Sequence, residues 1–234
     1  VLTLALETGG ELGSVALGTD GELLAESLLS VRATHSETVM PEVDRLLGQA
    51  GRGRDEIDAV AVGAGPGSFT GVRIAASLAK GLCFGRDRGL FAYSSLLATA
   101  AGTGLPERVV ACFDARRREV YAAAYDRVAP GGAARGPEVT DVETLIEELP
   151  GGPGEWTWAG SGADRHRERI EAAGGHVVPP HVGTPRAASL LWLVRRHPEA
   201  GRVDEPSTWE PAYVRRSSAW REGGGAGGAD GAAG

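Results

Sequence analysis

The chain is poor in cysteine. Cys83 and Cys112 are the only two in 234 residues, and both stand among apolar neighbours. A disulfide framework or a cysteine metal site is not expected; free core thiols are, in a reducing cytoplasm. No run of about 18 apolar residues occurs, so no membrane-spanning helix is expected. No leader-like segment opens the chain, so secretion is not expected either. Positive charge is in deficit, with 24 Lys and Arg against 31 Asp and Glu, a net charge of −7 and a pI near 5.3. That balance argues against a protein that grips nucleic acid alone, because phosphate contacts need clustered cations. Three basic clusters, Arg116–Arg118, Arg165–Arg169 and Arg215 with Arg216, read as solvated surface. The histidines His166, His176, His181 and His197 show no metal-ligand spacing, and Ser68 has no G-x-S-x-G setting. No convincing catalytic group emerges.

What is present centres on 58–84, D-A-V-A-V-G-A-G-P-G-S-F-T-G-V-R-I-A-A-S-L-A-K-G-L-C-F. Asp58 to Val62 reads as a covered strand, Gly63 to Gly67 as a turn, and Gly71 to Phe84 as a helix capped by Ser68 or Thr70. Three uses compete. The loop could present N–H groups to a phosphate, although it is neither G-x-x-x-x-G-K-[ST] nor G-x-G-x-x-G. Its glycines could serve only a tight turn. Finally, Gly71, Ala75 and Ala79 make one helix face nearly flat, which suits close packing on another helix, in this chain or another.

Elsewhere, strands at 1–6, 13–18 and 22–29 predict an antiparallel meander. Thr34-His-Ser-Glu37 reads as a capping box before a helix carrying Val39, Met40, Val43, Leu46 and Leu47; Pro41 either kinks that helix or moves its start toward Thr38. Gly51 ends it. A strand over 90–93 and a helix over 94–101 close the first half. After 102–106 the order restarts, with strands at 108–113 and 119–125, a surface loop over 129–137 and a helix over 142–149. A strand at 156–159 then leads into Gly160-Ser-Gly162 and an Arg-rich helix over 163–173. A loop over 179–185, a helix over 187–196 and an extended 206–211 follow. The expected division is 1–104, 105–216 and a Gly/Ala-rich tail, 217–234, too poor in apolar surface to order. The fold class expected is α/β, as two duplicated βββαβα halves.

Glu7 and Asp114 each end a first strand beside a turn. In a duplicated α/β fold such positions face the cleft, where a carboxylate could hold Mg²⁺ through water; the alternative is that each opens a polar turn. With Gly65, Gly67, Ser68 and Thr70 they form the candidate ligand loop.

Several motifs together resemble the TsaB (YeaZ) family: Leu4-Ala-Leu-Glu-Thr8, His35-Ser-Glu37 with Met40-Pro41, Gly65-Pro-Gly-Ser-Phe-Thr-Gly-Val-Arg73, Ala79-Lys-Gly-Leu82, Ser94-Ser-Leu96, Asp114-Ala-Arg116 with Glu119-Val-Tyr121, and Pro211-Ala-Tyr-Val-Arg215. The resemblance implies an actin/Hsp70-like ATPase fold of two ribonuclease-H-like halves. It implies a non-catalytic partner of TsaD, acting with TsaE in transferring threonylcarbamoyl from threonylcarbamoyl-AMP to the tRNA adenosine 3′ of the anticodon. Pairing with TsaD or with itself would use the first two helices, here carrying His35, Val39, Met40, Val43, Gly71, Ala75 and Ala79. tRNA would be met only through the complex, and ATP with Mg²⁺ at most at that level. The related TsaD branch carries His-x-Glu-x-His; here the run is His35-Ser-Glu37-Thr-Val39, so no metal is expected. Two further departures are Glu7 for the usual Asp and Val214 for the usual Leu. The competing reading, an ATP-dependent phosphotransferase or metallopeptidase, rests on fold analogy.

Overall fold

The structure is a computed structural model describing residues 1–30 and 37–212. Thr34, His35 and the tail over 217–234 lie outside the described residues. In chain order the elements are β1 (Leu2–Glu7), β2 (Leu12–Thr19), β3 (Glu22–Ser30), α1 (Val39–Gln49), β4 (Ala59–Gly63), α2 (Phe69–Cys83), β5 (Gly89–Tyr93) and α3 (Ser95–Gly102). Then come β6 (Val109–Asp114), β7 (Val120–Tyr125), β8 (Ala133–Thr140), α4 (Val142–Glu148), β9 (Thr157–Ala159), α5 (Ser161–Arg165) and α6 (Arg167–Ala172). After these come β10 (His176–Val177), α7 (Pro180–Gly183), α8 (Ala187–Arg196), α9 (Pro198–Gly201) and β11 (Arg202–Val203).

Two mixed sheets result, ordered β11-β5-β4-β1-β2-β3 and β10-β9-β6-β7-β8. In each, a first strand (β1 or β6) pairs antiparallel with the next and parallel with a later one, β4 or β9. Period-two alternation sends each strand's residues to different cores. Leu4, Leu6, Val15, Leu17, Val60 and Val62 face α1 and α2. Val110, Cys112, Val120, Ala122 and Ala124 face α4 and the helices after β9. Between the sheets lies a shared core with α3 and α8. There the first sheet offers a row of small side chains, with Ala16, Ala5 and Ala61 side by side in register. That shallow row lets α8 sit close, and Leu190 and Leu193 on it are fully buried.

Local chemistry explains the element ends. Between β2 and β3 the two turn residues are Asp20 and Gly21, both at positive φ, as a type I′ turn requires. α1 follows Thr38 at its N-terminal boundary, so Pro41 falls in its first turn, where its missing N–H costs nothing. Its end is a Schellman motif: Arg52 N–H donates to the Leu47 carbonyl at 2.9 Å and Gly51, at φ +66°, donates to Gly48 at 3.2 Å.

Four expectations are corrected. The segment 129–137 is not all loop, since Ala133–Thr140 forms the third strand of the second meander. β8 is an edge strand with register shifts, a position that accepts Pro137. The Arg-rich helix is broken at His166 into α5 and α6. Within 179–185, Pro180–Gly183 makes a helical turn, and 206–208 is a turn rather than extended chain. α8 packs on β1, β2 and β4, and β11 pairs with β5, so the run from 187 to 203 belongs with the first sheet.

A clamp fixes that return. The Glu26 carboxylate on β3, 6% exposed, pairs with the Arg186 guanidinium and accepts from Ser14 Oγ at 2.8 Å and Ala188 N–H at 3.3 Å. Ser14 Oγ in turn accepts from Ala187 N–H at 3.0 Å. The free N–H groups at the start of α8 are thereby answered by side chains 160 or more residues away.

Candidate functional site

The glycine-rich loop closes on itself around Glu7. The side chain is fully buried at the end of β1. Its Oε1 accepts from Gly9 N–H at 2.8 Å and its Oε2 from Ser95 Oγ at 2.8 Å. Burial holds this carboxyl above its ordinary range, opposed by those two hydrogen bonds. Ser95 also bonds the loop, its N–H donating to the Gly65 carbonyl at 2.8 Å and its Oγ accepting from Gly65 N–H at 3.3 Å. Ser68 N–H donates to the Gly9 carbonyl at 2.8 Å, and its Oγ caps α2 by accepting from Gly71 N–H at 3.4 Å.

The glycines are there for space. A Cβ on Gly63 would lie 1.9 Å from Glu7 Oε2, one on Gly67 2.5 Å from the Gly9 carbonyl oxygen, and one on Gly71 1.9 Å from the Thr8 carbonyl oxygen. Gly65 has φ +85°. Glu7, Gly65, Gly67 and Ser68 are thus brought together, as expected. Yet the N–H groups of Gly65, Ser68 and Gly71 are already spent on the chain's own oxygens. Thr70 stands exposed outside this junction. Asp114 lies on the other sheet, where Arg165 holds one carboxylate oxygen at 2.6 Å and Arg116 N–H the other at 3.0 Å. Ser95, 88 residues from Glu7, and Thr8, whose Oγ1 donates to the Gly71 carbonyl at 2.6 Å, complete the junction; both stand in the motifs quoted above, where neither had an assigned role.

The flat face of α2 serves the chain's own sheet. Ala75 and Ala79 are fully buried in the core shared with α1, and Gly71 is buried against Thr8. Val39 and Val43 on α1 lie in the same core at 3% and 0% exposure. Five of the seven residues expected at a partner contact, Val39, Val43, Gly71, Ala75 and Ala79, are therefore buried within this chain. Met40 is half-buried, and His35 is outside the described residues. Along the flank of α2, Ile74, Leu78 and Leu82, spaced every four residues, pack on the edge of that core and stay half-buried, and Phe69 at the helix start is 41% exposed under the Arg73 guanidinium. Phe84, just past the helix, is 85% exposed. Among the described residues no group of three or more His, Cys, Asp or Glu side chains is placed to hold a metal ion. No helix among them is long and apolar enough to cross a membrane.

Two sheets of the same strand order, each with a carboxylate closing its first strand, joined through a helical core, define an actin/Hsp70-like ATPase fold. A solved structure of the ethanolamine utilization protein EutJ from Carboxydothermus hydrogenoformans matches 82% of this chain and 90% of its own at a TM-score of 0.52 and 13% identity, which speaks to fold alone. The family model described as TsaD, tRNA N6-adenosine threonylcarbamoyltransferase, matches residues 22–174, more than half of the chain. The tRNA threonylcarbamoyladenosine biosynthesis protein TsaB of Escherichia coli K12 is 33% identical over 225 residues, covering 94% of this chain and 96% of that protein. The structure of YeaZ from Pseudomonas aeruginosa superposes with a TM-score of 0.76 at 32% identity, over 91% of this chain and 99% of that one. The chain belongs to the TsaB (YeaZ) family of tRNA threonylcarbamoyladenosine biosynthesis proteins.

Proposed function

We propose that this chain is a non-catalytic subunit of the cytoplasmic tRNA threonylcarbamoyladenosine machinery, which docks TsaD directly and supports its threonylcarbamoyl transfer with TsaE. The observation that carries the reading is the flank of α2. Ile74, Leu78 and Leu82 form an apolar stripe, and Phe69 and Phe84 flank it with ring surface left in water. Apolar patches of this kind mark interaction sites, and aromatic anchors supply much of their binding energy. The half-buried Met40 on α1 lies on the same layer over the first sheet. Glu7 and the glycine loop support the docking surface from within by fixing the start of α2; their role is positional.

Size-exclusion chromatography with light scattering, on the chain alone and mixed with TsaD from the same source, tests this. A mixed complex is expected, weakened at least tenfold by Leu78→Glu or Phe84→Glu with the fold intact. A chain that ignores TsaD at micromolar concentration refutes the proposal.

A further inference from the structure

We infer that the turn between β6 and β7 is a contact for an RNA phosphate backbone, made by Arg116, Arg117 and Arg118. All three residues are exposed, and all three hold positive φ, at 65°, 55° and 69°. Residues with a Cβ enter that region reluctantly, and asparagine or glycine is the ordinary choice there. This chain uses Asp20 and Gly21, residues that enter that region readily, at the turn between β2 and β3. At the β6–β7 turn, Glu119 N–H donates to the Arg116 carbonyl at 3.0 Å, and Arg117 and Arg118 occupy the two central positions. The Ala115 N–H bond to the Glu119 carbonyl at 2.9 Å pins the base of the turn. Strain kept where a cheaper residue would do is a mark of function rather than of folding.

The charge points the same way. The nearby Asp114 carboxylate is already engaged by Arg165 and by Arg116 N–H. Among the described residues none of the three guanidinium groups has a carboxylate partner. Three uncompensated cations on one turn of a chain with net charge −7 fit a polyanion. The family acts in tRNA modification, which makes tRNA the polyanion, and planar guanidinium groups suit phosphate oxygens. The turn joins β6 and β7 of the second sheet, whereas α2 packs on β1, β4 and β5 of the first. The inference rests on the family's role and not on TsaD docking.

The test measures tRNA binding by fluorescence anisotropy across a salt series, for the chain alone and for the chain with TsaD. The variant R116N/R117N/R118G places turn-compatible residues at all three positions. The expected result is a salt slope smaller by about two to three and an affinity at 0.1 M salt lower by roughly a hundredfold. Association with TsaD should be unchanged and the melting temperature equal or higher. Unchanged affinity and slope would overturn the inference, as would absence of tRNA binding by both the chain and the mixture. Loss of TsaD association instead would assign the turn to a protein contact, and displacement of tRNA by micromolar triphosphate would assign it to a small-anion site; either also overturns it. Failure of the chain to join TsaD, with the tRNA effect intact, would sink only the docking proposal.

Discussion

Gly71 and Gly81 sit in one helix and should respond to the same substitution with opposite sign. Glycine in a helix interior costs about 0.5–1 kcal/mol relative to alanine, so propensity alone says both changes stabilise. At Gly81, exposed and with nothing within 4 Å of an added Cβ, that argument stands. Gly81→Ala should therefore raise stability by about 0.5–1 kcal/mol. At Gly71 the added carbon would lie 1.9 Å from the Thr8 carbonyl oxygen and 2.9 Å from its carbon. Ordinary contact begins at 3.4 Å, and the obstacle is backbone, so helix and strand end must part. Overpacking of this sort costs about 1–3 kcal/mol. Parting them also strains the buried 2.6 Å bond from Thr8 Oγ1 to the Gly71 carbonyl, and such bonds contribute about 1 kcal/mol net. Gly71→Ala should lose about 1–3.5 kcal/mol once the propensity gain is set against these terms. In a chain of this size that lowers the melting temperature by roughly 2–14 °C. Urea denaturation followed by circular dichroism, with melting curves alongside, gives both values. A Gly71→Ala chain as stable as the parent, with an unchanged denaturant slope, would refute the close-packing account of the G-P-G-S-F-T-G run.

Three other outcomes are expected. Because burial raises the Glu7 carboxyl above 4.5, the folded chain keeps that proton to higher pH than the unfolded chain, so stability falls as pH rises from 4.5 through the raised value. The slope is at most about 1.4 kcal/mol per pH unit, and it should be missing in Glu7→Gln when unfolding is followed from about pH 5 to about pH 8. Equal slopes in the two chains would count against a buried, titrating Glu7. Glu26→Ala should cost about 2–4 kcal/mol by stripping the start of α8 of its acceptors, and a double-mutant cycle with Arg186→Ala should show coupling; additive losses would mean that the clamp does not hold α8. Cys112, whose thiol burial pushes up to about 12, and buried Cys83 should both stay unmodified by a thiol reagent until the chain unfolds, and rapid native labelling would contradict the packing.

Where residues carried their own instructions, the sequence was readable. The first meander, α2 and α8 follow from alternation and helical spacing, and Ser68 caps α2 as its type suggests. β8 was hidden because Gly, Ala and Pro dominate Ala133–Thr140, and only its pairing with β7 makes it a strand. The flat face of α2 was legible as a face but not as to its neighbour, since Thr8 and the first sheet lie some 60 residues back. Burial of Glu7 was not legible at all. An acid after an apolar strand reads as the start of a polar turn, and the serine that answers it is distant in sequence. The flank of α2 showed the same limit: Phe84 ends an apolar helical run, yet it is left in water.

The strand order of the first sheet also bears on how this chain is made. β11, at residues 202–203, pairs with β5, and α8 fills the alanine row laid down by β1, β2 and β4. A ribosome delivers those early strands first and their covering helix last, after the whole second sheet has emerged. Until then the inner face of the first sheet has no α8 to cover it. The second sheet, contiguous over 109–177, is complete before the first one is. Folding is therefore finished from the middle outward, with residues 187–203 sealing the earliest strands.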